Sequence, residues 1–359
     1  MLLKIRLTYM TKKKILIATG GTGGHIFPAY SLANFFKEKD YNVDLITDLR
    51  GHKFLKDYKN LKIFILPSSP LIKKNFIKFL LSVFKIFYSI IRSFFFMLRN
   101  RPSIVFGMGG YSSFPVCIAA SILKIKFVVY ENNLVIGKAN KLLLPLAKKI
   151  FVSYKELNGI SEKYNKKVFV LGNLIRKEII DRSLTENFSQ QFEDLRILVI
   201  GGSQAAKVFA NELPQIFEKL KKSNIPIKVF QQCLKEQNNQ LSEFYNKAKI
   251  DNKIFNFTNN IIEYYSKVNL VITRSGASVL GELLNFKIPF ISIPLPTSAD
   301  NHQYKNAEFY SKKGYGYLLE EKDIKFKLYD LINLIYKDAS LTKKIIFNQK
   351  QYSDKNIYK

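Results

Sequence analysis

The residues of this chain best suited to chemistry lie in glycine-rich turns that follow short apolar runs. Lys14-Ile-Leu-Ile-Ala-Thr19 leads into Gly20-Gly-Thr-Gly-Gly-His25, and Arg196-Ile-Leu-Val-Ile200 leads into Gly201-Gly-Ser-Gln204. A strand that ends in glycines and turns into a helix aims backbone N–H groups and the helix N-terminus at one point, which suits phosphate. Two such turns, one in each half of the chain, predict a cleft where two phosphorylated molecules meet. The first turn is not a Walker loop, because no Gly-Lys-Ser/Thr follows. Nor is it the dinucleotide fingerprint, since Ile26 stands where a third glycine should fall. Thr22 offers a hydroxyl, Gly23 and Gly24 allow close backbone approach, and His25 opens the helix as either a structural histidine or a base.

Further polar groups recur at strand ends. Phe106-Gly-Met-Gly-Gly-Tyr-Ser-Ser113 is another strand-to-helix turn, and Glu131-Asn-Asn133 sits at the carboxyl edge of a sheet, where open α/β folds bind ligands. Gly172-Asn-Leu-Ile-Arg176 places an arginine near the domain junction, as a diphosphate clamp or as an interdomain ion pair. In Thr273-Arg-Ser-Gly-Ala-Ser-Val-Leu-Gly-Glu282, Ser275 and Gly276 are expected to cap a helix. Glu282 falls roughly two turns along it, as an acceptor for a pair of sugar hydroxyls or as a solvent-exposed carboxylate. Asp300, Asn301, His302 and Gln303 cluster at a helix start and suit sugar hydroxyls. Only three histidines are present (His25, His52, His302), with no His/Cys spacing and no Asp-x-Asp pair, so no metal site is expected.

These groups need a scaffold, and the chain supplies strands that alternate with helical patterns. Strand-like runs fall at 15–18, 43–47, 63–66, 104–106, 127–130, 150–153 and 168–171, with helices between them such as 28–39 and 114–123. The pattern restarts at 197–200, 227–231, 254–257, 270–273, 290–293 and 317–319. Alternation of this kind predicts an α/β chain with two doubly wound, Rossmann-like parallel sheets facing across a cleft. The expected division is 11–180 for the first domain, 181–194 for a polar linker and 195–340 for the second domain. A helical segment, 341–359, is a candidate to cross back to the first domain.

A length of 359 residues is comfortable for two cores. The formal net charge of +29 favours an anionic partner. Its lysines are spread along the chain, among abundant Asn, Ile, Phe and Tyr, which points to compositional bias and not to nucleic-acid binding. Cys117 and Cys233 fall in different domains and read as buried free thiols. Without paired cysteines or a signal-peptide pattern, the cytoplasm is the expected compartment.

Residues 72–99 have helical spacing: Ile72, Phe76, Phe79, Leu80, Val83, Phe84, Phe87, Ile90, Ile91, Phe94, Phe95 and Leu98 share a face. Lys74, Lys78, Lys85, Arg92 and Arg99 lie opposite. The expected reading is a connecting helix whose apolar face packs on its sheet. An interfacial helix meeting anionic lipid is the alternative, kept open by Ile77, Leu81 and Phe96 off the main face. Lys85 and Arg92 interrupt the run and argue against a transmembrane span.

Together these segments resemble the MurG family, the UDP-N-acetylglucosamine–lipid I N-acetylglucosaminyltransferases of bacterial peptidoglycan synthesis (GT-B fold, glycosyltransferase family 28). The resemblance runs from about Ile15 to Gly316. It rests on Gly20-Gly-Thr-Gly-Gly-His-Ile-Phe-Pro-Ala29, Gly107-Met-Gly-Gly-Tyr111, Gly172-Asn-Leu-Ile-Arg176, Gly201-Gly-Ser-Gln204, Arg274-Ser-Gly-Ala277 and Glu282. It implies an N-terminal domain for the lipid acceptor and the membrane, and a C-terminal domain for the nucleotide sugar. N-acetylglucosamine would pass from UDP, with inversion, to the C4 hydroxyl of the muramoyl sugar on undecaprenyl diphosphate, at the cytoplasmic membrane face and without a cofactor. An anionic membrane surface and other cell-wall synthesis proteins are the implied partners, and nucleic acid is not among them.

Residue by residue, the resemblance implies that Thr22, Gly23 and Gly24 border the reacting diphosphates and that His25 is the candidate base. Asn133, Arg176 and Ser203 match donor-contacting positions, and Thr258 matches a uracil-contacting backbone position. Ala277, Ser278, Val279, Leu280, Gly281 and Glu282 match the diphosphate-holding helix start, with Glu282 on the ribose and Gln303 on the N-acetylglucosamine. Two departures stand out. The second turn reads Ser203-Gln-Ala-Ala-Lys207 where the family has Ser-Gln-Gly-Ala-Arg, and Tyr130-Glu-Asn-Asn133 replaces His-Glu-Gln-Asn. The nearest rival is a sister GT-B transferase acting on diacylglycerol or another lipid. A nucleic-acid binder lacks a reader motif here, and a dinucleotide oxidoreductase lacks its fingerprint.

Overall fold

The computed structural model describes residues 13–56, 60–69, 76–185, 193–202 and 207–352. In the N-terminal half, β1 (Lys14–Ala18), β2 (Asn42–Thr47), β3 (Lys62–Ile65), β4 (Ile104–Gly107), β5 (Phe127–Glu131), β6 (Lys149–Val152) and β7 (Val168–Val170) form one parallel sheet in the order β3-β2-β1-β4-β5-β6-β7. The connections are α1 (Gly23–Glu38), α2 (Leu49–Leu55), α3 (Phe76–Asn100), α4 (Ser113–Ile122) and α5 (Lys138–Leu143). In the C-terminal half, β8 (Leu195–Ile200), β9 (Ile227–Gln232), β10 (Asp251–Phe255), β11 (Leu270–Thr273), β12 (Phe290–Ser292) and β13 (Tyr317–Leu318) form a second parallel sheet in the order β10-β9-β8-β11-β12-β13. The helices after β7 are α6 (Lys177–Thr185), α7 (Lys207–Lys222), α8 (Asn238–Lys247), α9 (Ile262–Tyr265), α10 (Ala277–Phe286), α11 (His302–Lys312), α12 (Ile324–Lys337) and α13 (Ala339–Gln351).

Strand order reverses between β1 and β4 in one sheet and between β8 and β11 in the other. Crevices open at the carboxyl ends of strands where order reverses, so each half offers its ligand site there. The glycine turns after β1, β4, β8 and β11 stand at these two points. The central strands are apolar on both faces, as sheets covered by helices require: Leu16, Ile17 and Ala18 of β1 and Val271 and Ile272 of β11 are fully buried. β10 starts earlier than its apolar run suggests. It is an edge strand, which tolerates Asp251, Asn252 and Lys253 on its open side.

Helix α3 overturns the expected packing. Its buried residues are Ser82, Ser89, Ser93 and Met97. Phe76, Leu80, Val83, Phe84, Phe87, Ile91, Phe95 and Leu98 are exposed, as are Ile77 and Leu81, while Ile90, Phe94 and Phe96 are partly buried. The small serines allow close approach to the domain: Ser89 Oγ donates to the Pro67 carbonyl (2.7 Å) in the segment after β3, while Ser93 Oγ bonds back within the helix to the Ser89 carbonyl (2.7 Å). Periodicity located the helix but could not say which face turns inward. Ile72 lies outside the described residues. By length and composition α3 could cross a bilayer, with a mean hydropathy of 1.7. Its serine contacts and the Phe96–Phe64 edge-on pair (centroids 4.4 Å apart) hold it along the flank of its own domain.

Two boundaries differ from expectation. Helix α6 runs to Thr185, so the first five residues of the expected linker are helical; 186–192 lie outside the described residues. Ile179 and Ile180 of α6 pack in a core shared with Leu280, Leu283 and Leu284 of α10, which ties the end of the first half to the second. The C-terminal helix α13 packs on the second domain, not the first, as far as Tyr352. Gln349 Nε2 donates to the carbonyls of Ile288 (3.1 Å) and Tyr315 (2.7 Å). Cys117 and Cys233 are buried free thiols.

Candidate functional site

The first turn is built by glycines that have no room for a side chain. A Cβ on Gly110 would lie 2.5 Å from the Gly20 carbonyl oxygen, backbone that cannot step aside, and Gly110 has φ +78°. The turn after β4 is thus stacked directly on the turn after β1. Gly109 (φ +83°) gives His25 its place, because a Cβ there would be 2.9 Å from the imidazole Cε1 and Nδ1. His25 is half-buried at the start of α1. Burial pushes its pKa below the ordinary 6.5; the nearby Glu131 pulls upward, His302 pushes further down, and a bond to the Met108 backbone pulls upward. The net effect is a neutral imidazole at neutral pH, able to accept a proton.

Helix α1 begins at Gly23, five residues before the proline where the pattern suggested. Pro28 therefore lies inside it and has no N–H to give to the Gly24 carbonyl four residues earlier. Donors from elsewhere satisfy that carbonyl. Ser278 Oγ of α10 donates to it from the other domain (3.1 Å), and Asn132 Nδ2 is 3.4 Å away. Asn132 Nδ2 also donates to Ser278 Oγ (2.9 Å). The family departures at 130 and 132 act together here: the Tyr130 hydroxyl lies 3.0 Å from Asn132 Oδ1, and Ser153 Oγ donates to the same oxygen (3.0 Å). Both contacts turn the Asn132 amide nitrogen toward the second domain.

Glu131 organises the next strand end. Its Oε1 accepts from Asn133 N (3.0 Å) and Asn133 Nδ2 (3.1 Å), and Oε2 accepts from Gly137 N (2.8 Å) and Asn140 Nδ2 (3.0 Å). Asn133 Oδ1 in turn accepts from Asn306 Nδ2 of α11 (3.1 Å). Asn306 is fully buried; its Nδ2 also reaches the Ser275 carbonyl (3.1 Å), and its Oδ1 accepts from Leu134 N (3.1 Å). One buried amide thus joins the two halves at the back of the cleft.

Arg176 and Glu282 meet across the same junction. Nε donates to Oε1 (3.1 Å) and Nη2 to Oε2 (3.0 Å), while Nη1 donates to the Asn259 carbonyl (3.1 Å). The Tyr265 hydroxyl donates to Glu282 Oε2 (3.0 Å); burial first, then the Glu282 charge, pushes its pKa well above the ordinary value and keeps it a donor. Glu282 is therefore buried and paired, not the solvent-exposed carboxylate of the alternative reading. Phe27 lies under the Arg176 guanidinium (5.1 Å) and stacks with Phe257 of the second domain (6.4 Å).

Between these contacts lies a cavity of about 750 Å³ lined from both halves. Thr22, Gly23, Gly24, His25, Asn133, Arg176, Thr258, Ala277, Ser278, Val279, Glu282 and Gln303 all border it. Leu280 and Gly281 do not. Leu280 is fully buried in the core, and Gly281 faces Asn173, whose Nδ2 would sit 2.8 Å from an added Cβ. Ser203 lies outside the described residues. Gly276, not Ser275, is the N-cap of α10; Ser275 Oγ is buried without a hydrogen-bond partner among the described residues. Gln303 Oε1 accepts from Leu295 N (2.9 Å), which shapes the loop before α11. Among the described residues no group of three or more His, Cys, Asp or Glu side chains could hold a metal ion.

Known proteins match this chain over most of its length. The model of the glycosyltransferase family 28 N-terminal domain matches residues 15–152, and that of the family 28 C-terminal domain matches residues 196–357. The chain belongs to glycosyltransferase family 28. A relative from Pelagibacter ubique, named UDP-N-acetylglucosamine–N-acetylmuramyl-(pentapeptide) pyrophosphoryl-undecaprenol N-acetylglucosamine transferase, is 36% identical over 350 residues and 96% of each chain. A Rickettsia felis protein of the same name is 33% identical, over 89% of this chain and 91% of its own. Among solved structures, Acinetobacter baumannii MurG superposes with a TM-score of 0.74 at 24% identity, over 95% of each chain. The Staphylococcus aureus MnaA–UDP co-structure superposes at 0.65 with 15% identity, over 96% of this chain and 94% of its own. These superpositions establish the GT-B fold.

In this family 28 chain, several cleft residues escaped the sequence reading. Tyr265, Asn306 and Glu321 left no local signal, because an amide, tyrosine or carboxylate in a helix or loop acquires its role only from what faces it. Asn132 lies within the Glu131–Asn133 motif, but its bond to Ser278 of the other domain is not local. Arg274, singled out only as part of a motif, is held by the carbonyls of Ile293 and Pro294 (3.2 Å each), by Glu321 and by the Phe209 ring (4.8 Å). Those contacts connect the end of β11 to the start of the loop that leads to Gln303.

Proposed function

We propose that this chain transfers N-acetylglucosamine from UDP-N-acetylglucosamine to the C4 hydroxyl of the N-acetylmuramoyl sugar in undecaprenyl-diphospho-MurNAc-pentapeptide (lipid I), forming lipid II for peptidoglycan. It is a hexosyltransferase that uses a UDP-sugar donor and a lipid-linked acceptor. The observation that carries the reading is the meeting of His25 and the Gly24 carbonyl with the α10 N-terminus at Ser278, inside one two-domain cleft. Family membership and the shared name of relatives at 33–36% identity support the same substrates.

In this reading the neutral His25 imidazole takes the proton of the C4 hydroxyl as its oxygen bonds to C1 of the donor sugar. The C1–oxygen bond to UDP breaks on the opposite face, which inverts the configuration. The charge that develops on the leaving diphosphate falls at the α10 N-terminus, beside Ala277, Ser278 and Val279 and with Ser203 from the turn after β8. Thr258 would meet the uracil through its backbone, and Glu282 the ribose. Gln303 and Asn133 would meet the N-acetylglucosamine. Arg176, held on Glu282, fixes the carboxylate that meets the ribose. Thr22, Gly23 and Gly24 border the acceptor side.

We place the enzyme at the cytoplasmic face of the inner membrane, as a peripheral protein. Support comes from the outward apolar face of α3, flanked by Lys78, Lys85, Arg92 and Arg99, a pattern suited to anionic lipid. Other cell-wall synthesis proteins are candidate partners of the enzyme.

The test is transfer of radiolabelled N-acetylglucosamine from its UDP donor to a lipid I analogue, with diacylglycerol in parallel. Label on the lipid I analogue alone is expected. Label on diacylglycerol would assign the chain to a sister activity, and no label on either would refute the reading.

A further inference from the structure

One buried carboxylate outside the reaction described above has more partners than its local structure needs. Asp48 follows β2 and caps α2, and its side chain is 4% exposed. Oδ1 accepts from Gly51 N (2.8 Å), the ordinary capping bond, and also from Gly21 N of the first glycine turn (3.2 Å). Oδ2 accepts from Ser68 Oγ (2.7 Å) and from Arg50 Nη2 (3.0 Å) and Nε (3.3 Å). Burial alone would raise its pKa, yet the bonds from Ser68, Gly51, Gly21 and Arg50 together hold it below the ordinary carboxylate value.

Its partners lead in two directions. Ser68 belongs to the segment after β3 that lies against α3: Ser69 and Ser82 hydroxyls are 3.1 Å apart, and Ser89 bonds to the Pro67 carbonyl. On the other side, Gly21 (φ +90°) begins the turn that leads to His25. Arg50 stands beside it, with Nη2 4.0 Å from the place a Cβ on Gly21 would take. Across the turn, Ser112 Oγ is buried without a hydrogen-bond partner among the described residues and points at Gly20, only 1.8 Å from an added Cβ. A continuous set of contacts therefore runs from the outward-facing apolar helix, through Ser68 and Asp48, to a guanidinium at the mouth of the glycine turn.

We propose that Asp48 is a positioning residue that fixes the first glycine turn and presents Arg50 to the diphosphate of a lipid-linked acceptor. A ligand with an apolar tail, two phosphates and a sugar has this order of needs: lipid at α3, charge at Arg50, sugar beside His25. Asp48 engages the Nε and Nη2 side of the guanidinium, which carries five N–H donors, so among the described residues Nη1 stays available to a phosphate oxygen. Arginine suits the task because its charge persists at all working pH values and its planar fork matches phosphate. The inference rests on the acceptor being a lipid-linked diphosphate, and its test is independent of sugar transfer.

The experiment is calorimetric titration of the full chain with farnesyl diphosphate while saturating UDP fills the donor half. Wild type is expected to bind it. Arg50→Ala should weaken binding about tenfold or more and Arg50→Lys less, since lysine keeps the charge and loses the fork. Asp48→Asn should also weaken binding, with UDP affinity unchanged in all three variants. Failure of the wild type to bind, or wild-type affinity in Arg50→Ala, would overturn the proposal. So would an equal loss of UDP affinity, or inorganic diphosphate binding as tightly as the prenyl form. A wild type that binds farnesyl diphosphate but transfers no sugar would refute the transferase reading and leave this one standing.

Discussion

Arg176 and Glu282, one from each half of the chain, form a two-pronged ion pair with both side chains nearly buried, 7% and 8% exposed. Glu282 also accepts from Tyr265, and Arg176 also donates to the Asn259 carbonyl, so neighbours anchor the pair at both ends. The same carboxylate borders the cleft cavity, where we propose that it meets the ribose of the donor. One contact thus serves the domain junction and the candidate donor site together.

Removing one partner leaves the other charge buried and unpaired, which typically costs about 3–5 kcal/mol. Glu282→Gln and Arg176→Gln are each expected to lower the urea midpoint and to weaken UDP binding. The double variant should recover part of the stability without recovering UDP affinity. Chemical denaturation beside UDP titration separates the two effects. A single variant with wild-type stability would remove the pair from the junction, and wild-type UDP affinity in Glu282→Gln would remove Glu282 from the ribose.

His25 yields a prediction in pH. Its folded pKa is depressed below 6.5, so the folded state binds fewer protons than the unfolded one in that range. Its contribution to stability is complete above the unfolded value and is lost as pH falls through the folded value. The transfer rate should follow the same sense, with an acid limb lying below pH 6.5 that disappears in a His25 variant. His25→Ala is expected to reduce turnover by about 10²–10⁴-fold with the donor KM little changed. Initial rates from pH 5 to 8 check this; undiminished turnover would take the base role from His25.

The outward face of α3 can be tested without any chemistry. Replacing Phe84, Phe87 and Phe95 with serine removes large exposed rings that the fold does not bury. Thermal stability and UDP binding are expected to stay at wild-type levels, while co-sedimentation with vesicles of anionic lipid is lost. Wild-type binding to anionic vesicles should weaken with added salt, while binding to neutral vesicles should be weaker from the start and less sensitive to salt. Unchanged vesicle binding of the triple variant would move the lipid surface elsewhere.

By itself the sequence determined the two parallel sheets, because short apolar runs bounded by glycines and separated by helical patterns leave few other arrangements. It also located the turns: Gly20–His25, Gly107–Tyr111, Gly201–Gly202 and Arg274–Ala277 are local features, and a glycine that must take positive φ or a close approach declares itself in the chain. What faces what is not local, and only the tertiary structure decided it. The serine face of α3 turns inward because Pro67 and Ser82 find hydrogen-bond partners there, a fact that hydrophobic spacing could not contain. The sequence alone leaves Arg176 open between a phosphate clamp and an ion pair, and the Glu282 carboxylate opposite it makes the ion pair. The Gly24 carbonyl shows the division most clearly. Pro28, four residues on, removes its helical donor, and that much is written in the sequence. That the replacement comes from Ser278 in the other domain depends on how two sheets come to face each other, since a lost hydrogen bond specifies a need and not the group that meets it.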